Sequence, residues 1–110
     1  MVNQIVLVGR IAEPIEFIET DDSKKCTILI GVTQPYKNKD GEYDVDYLRC
    51  DLTGNVAINT AEYCKEGDLI GIKGRISGSL NNDENTKNIK VYGDRVTFLA
   101  TPEKRKQMER

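Results

Sequence analysis

The strongest constraint on this chain is an apolar–polar alternation at every second position. Between residues 47 and 53, Leu48, Cys50 and Leu52 fall on one side of an extended strand. Tyr47, Arg49, Asp51 and Thr53 fall on the other. The first set demands a core, and the second must meet solvent or a ligand. Residues 26–33 repeat the pattern, with Cys26, Ile28, Ile30 and Val32 opposite Thr27, Leu29 and Gly31. In 69–76, Ile70, Ile72 and Ile76 point inward while Lys73 and Arg75 point out. The β-branched run 2–11 bends at Gly9, is interrupted by Pro14 and resumes over 15–19, and 89–99 closes the set with a bulge or bend at Gly93. Residues 34–42 carry Pro35, Asn38 and Asp40-Gly41 and read as a loop or hairpin tip, as does the Asn-rich stretch 77–88. Only 55–65 has helical spacing, with Ala57, Ala61 and Cys64 on one side, Asn55 as the cap and Gly67 at C′.

Three strands, one helix and two strands, in a chain of 110 residues, leave room for one domain. The expected domain is 1–101, followed by a polar, basic tail at 102–110. This order matches an all-β, five-stranded OB-fold, a Greek-key barrel with one helix between strands three and four. Other classes are excluded by what is missing. The chain has no His, which removes Ser-His-Asp catalysis, Cys-His pairs and His-ligated zinc. Cys26, Cys50 and Cys64 are widely spaced and odd in number, so they read as core thiols in a reducing cytoplasm. Asp44, Asp46 and Asp51 lack metal-loop spacing and read as solvated, so no metal or cofactor is expected. No apolar run spans a membrane, and no nucleophile–base pair assembles, so the chain reads as a non-enzyme.

Several segments carry a family resemblance. VNQIVLVGR at 2–10, KNKDGE at 37–42, DYLR at 46–49, KEGDLIGIKGRI at 65–76 and VTFL at 96–99 resemble the bacterial single-stranded DNA-binding proteins, with 55–63 where that family's helix lies. The likeness runs in order over residues 2–99. It implies a homo-oligomer, tetramer first and dimer second, that wraps single-stranded DNA without strong sequence preference in replication, recombination or repair. Such binding combines cations along the backbone with aromatic faces under the bases.

By the same resemblance, Tyr36 and Tyr47 are the stacking faces, and Lys37, Lys39, Arg49, Lys73 and Arg75 the phosphate contacts, with Arg10 a weaker addition. Tyr43, Tyr63 and Tyr92 are read as packing residues. The sequence also departs from the family. Its second strand-three aromatic falls on Thr53, and its hairpin-loop aromatic near Leu80 or Asn81. Basic positions of the family become Asn55, Glu66 and Phe17. At about 1–3 kcal/mol per stacked base, two lost platforms forfeit roughly 2–6 kcal/mol per subunit. The family's acidic C-terminal tip has no counterpart in Lys104, Arg105, Lys106 and Arg110, so tip-dependent recruitment of repair proteins is not expected. These departures sustain an alternative: an OB-fold assembly or adaptor module of a primosome or mobile-element system, with weak DNA binding.

Overall fold

A computed structural model of the protein describes residues 1–78 and 89–102. The expected loop around Leu80 and Asn81, and the tail at 103–110, lie outside the described residues. The elements run β1 (Ile5–Ile11), β2 (Glu16–Glu19), β3 (Lys24–Lys37), β4 (Tyr43–Thr53), α1 (Gly54–Tyr63), β5 (Leu69–Gly78) and β6 (Ile89–Ala100). Their order across the sheet is β1-β5-β6-β4-β3-β2, and β1 also pairs with β3. That extra pairing closes β1, β3, β4, β5 and β6 into a five-stranded barrel, with β2 continuing the interrupted first strand along β3.

Closure happens at Arg10 and Ile11, where β1 leaves β5 and meets Gly31 and Ile30 of β3. Gly9 makes the crossing feasible, because a Cβ there would collide with the Gly31 carbonyl oxygen. Asn3 extends the β1–β5 contact, its side chain accepting from the Ile76 N–H and donating to the Ile76 carbonyl. The interior is filled by Ile11, Ile28, Ile30, Leu52, Ile70 and Ile72, each essentially solvent-free. Burying one such side chain contributes about 1.5–3 kcal/mol. The alternation read from β3 and β4 therefore holds. Ile76 differs: it shares the parity of Ile70 and Ile72, but β5 has run past the core there and the side chain is exposed.

Three local expectations are corrected. First, β3 continues through Gln34, Pro35 and Tyr36 to Lys37, so the hairpin tip is shorter than 34–42. Pro35 fits because the β3–β4 register shifts between Thr33 and Lys37, and a bulge spares its missing N–H. Second, α1 begins at Gly54 after Thr53, without a side-chain cap, and Asn55 lies inside it. Third, Gly67, at φ 93°, does not end the helix. It sits in a turn closed by the Asp68 N–H donating to the Lys65 carbonyl at 3.0 Å. The buried Asp68 carboxylate accepts the Lys65 N–H at 2.8 Å and fixes this turn. At Gly93 the expected irregularity is present, since Lys73 faces Arg95 while Gly74 faces Gly93, leaving Asp94 as the bulged residue.

Burial pushes the Cys26 and Cys50 thiols up to about 11, with Cys64 and Asp51 respectively adding to the effect. Cys64 moves in the same direction for the same leading reason. All three are free thiols facing the core, as the alternation implies for Cys26 and Cys50 and the helical spacing for Cys64.

Candidate nucleic-acid interface

The exposed face of β3 and β4 is built by strand register. Arg10 pairs with Gly31, and Gly31 pairs with Tyr47, so the three form one row across β1, β3 and β4. Gly31 has no side chain, and the Tyr47 ring leans across it, with Cε1 3.3 Å from where a Cβ would stand. Tyr47 as a whole is 62% exposed. Around it lies an open groove of about 570 Å³, lined by Val8, Arg10, Gly31, Thr33, Val45 and Tyr47 among others. Arg10 is held there by an Nη1–H donated to the Gly67 carbonyl at 3.0 Å. Arg49 is the next outward residue on β4, exposed and opposite Leu29. An aromatic face flanked by two guanidinium groups can stack a base and hold phosphate.

Tyr36 and Lys37 stand at the end of β3, and Tyr36 is 80% exposed. The hairpin that carries Lys39 is ordered by Asn38. Its Oδ1 accepts the N–H groups of Asp40 and Glu42 at 2.9 and 3.0 Å, and its Nδ2 donates to Asp44 at 3.0 Å. Across the hairpin, Lys37 Nζ lies 5.8 Å from the centre of the Tyr43 ring. Tyr43 is thus an exposed ring on the same hairpin, not a packing residue. The Lys37–Tyr43 pairing that reveals this depends on a bulge that the sequence does not announce.

The remaining positions fall elsewhere. Lys73 faces Val6 on β1 and Arg95 on β6, so it is not in the Tyr47 row. Arg75 is opposite Tyr92 on β6, its guanidinium carbon 4.7 Å from the ring centre. Tyr92 is half-buried on the outer surface and packs under that cation, whereas Tyr63 on α1 is 70% exposed and is not the packing residue expected. The structure brings together Arg10, Tyr47 and Arg49, places Tyr36, Lys37 and Lys39 on the adjoining hairpin, and sets Lys73 and Arg75 apart from them.

Among the described residues no helix is long and apolar enough to cross a membrane. Comparison with solved structures shows the same fold in the small single-stranded DNA-binding protein of Streptomyces coelicolor. There the TM-score is 0.69 at 14% identity, covering 90% of this chain and 95% of that one. The single-stranded DNA binding protein of Thermus aquaticus gives 0.70 at 18% identity, with 89% of this chain covering 50% of that one. In sequence, the chain is 34% identical over 103 residues to single-stranded DNA-binding protein B of Bacillus subtilis, covering 90% of this chain and 91% of the relative. It is 36% identical over 104 residues to single-stranded DNA-binding protein 1 of Clostridium acetobutylicum, covering 90% and 94%. Residues 2–99 match the pattern of the single-strand binding protein family, and with these relatives it follows that the chain belongs to that family.

Proposed function

We propose that this protein binds single-stranded DNA without strong sequence preference, as a non-enzymatic coat for strands exposed during replication, recombination or repair in the cytoplasm. The observation that carries the reading is the Arg10–Gly31–Tyr47 row, which sets an exposed aromatic face in a groove with a cation beside it. Tyr36 with Lys37 and Lys39 extends this surface onto the hairpin, and Arg49 continues it along β4. Bases stack on the rings and phosphates follow the cations, an arrangement indifferent to base identity. Lys73 serves as a phosphate contact on the neighbouring side of the barrel.

A homo-oligomer, tetramer first and dimer second, accompanies this reading. Val6 is 66% exposed on β1, which meets β3 only at Arg10 and Ile11. A second copy would cover that edge, which is otherwise open to indiscriminate pairing. Light scattering should give a multiple of the 12.4 kDa chain mass, and a monomer at micromolar concentration contradicts it.

The binding test uses the five Tyr, since the chain has no Trp. Adding a dT oligonucleotide should quench tyrosine emission saturably, and duplex DNA should do so far less. Absence of any saturable change at micromolar concentrations rejects the reading and leaves the adaptor role in its place.

A further inference from the structure

The outer face of β4 continues beyond the Tyr47 groove into a second row. Asp51 pairs with Thr27 on β3 and, in parallel register, with Tyr92 on β6, and Tyr92 pairs with Arg75 on β5. Thr27 Oγ1 donates to Asp51 Oδ1 at 3.3 Å. Arg75 covers the Tyr92 ring at 4.7 Å. Beside them Lys25, Thr27, Asp51, Thr53, Lys90 and Tyr92 line a groove of about 280 Å³. The small side chains of Thr27 and Thr53 leave the floor of this groove open.

The charge balance differs between the two ends of the face. Lys25, Lys90 and Arg75 stand against two carboxylates, Asp51 and the Glu16 that pairs with Thr27 from β2, whereas at the hairpin Lys37 and Lys39 stand against Asp40, Glu42, Asp44 and Asp46. The end that best complements a polyanion is therefore the end away from the hairpin.

We propose that this groove is a nucleotide subsite for single-stranded DNA, with a base on the Tyr92–Arg75 pair and the adjoining phosphate between Lys25 and Lys90. The inference rests on the DNA-binding function proposed above and specifies where part of that binding occurs. A guanidinium stacked on a ring presents a flat cationic surface on which any base can stack. Tyr92 and Arg75 thereby supply, one row from Thr53, a stacking surface that Thr53 itself lacks.

The test measures affinity for a long dT oligonucleotide as a function of salt, with urea unfolding run on each variant. Arg75→Lys keeps the charge and loses the plane. It should weaken binding about fivefold or more, the low end of one stacked base, while leaving the salt slope unchanged. Lys25→Ala with Lys90→Ala should flatten the log–log slope by about 1.4, two single-strand phosphate contacts. Both lysines are exposed, so the double variant tests the subsite even where Tyr92 substitutions unfold the chain. Wild-type affinity and slope in both variants overturn the subsite while leaving the function intact. Failure of the wild-type protein to bind the oligonucleotide removes the function and the subsite together.

Discussion

Along β4, Cys50 and Leu52 are sealed in the barrel, while Arg49 beside Cys50 and Tyr47 two residues before Arg49 stand in solvent. The same backbone thus carries two kinds of constraint. The inward side chains must fit a closed volume, so each is answerable to stability. The outward ones touch little of their own chain and are answerable to what lands on them. Substitutions on the two faces should therefore separate into stability effects and binding effects.

The largest expected effect is at the barrel crossing. Gly9→Ala would drive a Cβ into the Gly31 carbonyl, a backbone atom that cannot swing aside. Urea unfolding should show a loss of about 3 kcal/mol or more, the upper range for overpacking. Leu52→Ala, on the inward face of β4, should cost about 2–5 kcal/mol in the same measurement. A Leu52→Ala protein with wild-type stability would break the contrast between the faces.

The thiols give a pH test of the inward face. Unfolded Cys26 and Cys50 ionise near the ordinary value of 9.0, whereas their folded values lie at about 11. Their contribution is therefore complete below pH 9 and is lost as pH rises towards 11. The slope is at most about 1.4 kcal/mol per pH unit for each thiol. Cys50→Ala should make that decline shallower, and an identical decline in the variant would contradict the assignment.

On the outward face the signs reverse. Tyr47→Ala and Tyr36→Ala should leave the unfolding midpoint near wild type and weaken oligonucleotide binding by about 1–3 kcal/mol each. Arg49→Ala should chiefly flatten the salt dependence, by about 0.7 in the log–log slope. Tyr63→Ala on α1 sharpens the contrast: the residue is 70% exposed and away from the groove, so neither stability nor affinity should change much.

The same division explains what was legible in the sequence. The period-two pattern of 26–33 and 47–53 identified the core, because burial imposes parity. The barrel class followed from the order of the elements. Parity alone does not say which residues become neighbours across the sheet. Tyr92 does pack, under Arg75, but only the β4–β6 pairing at Asp51 and the β5–β6 pairing at Arg75 show that it does so on the outer surface. The exposure of Tyr43 is not legible in the sequence because a bulge after Thr33 decides its partner, and Pro35 reads as a strand breaker for the same reason. Ile76 had core parity but lay beyond the core's end, a matter of depth that alternation does not encode.

The most direct test is to map amide NMR shifts while titrating a dT oligonucleotide into the labelled protein. The expected result is a contiguous set of changes over Arg10, Gly31, Tyr47 and Arg49 and the Tyr36 hairpin, with α1 left quiet. Saturable changes confined to α1, or none on the outward face of β3 and β4, would contradict the assignment of that face as the DNA-binding surface.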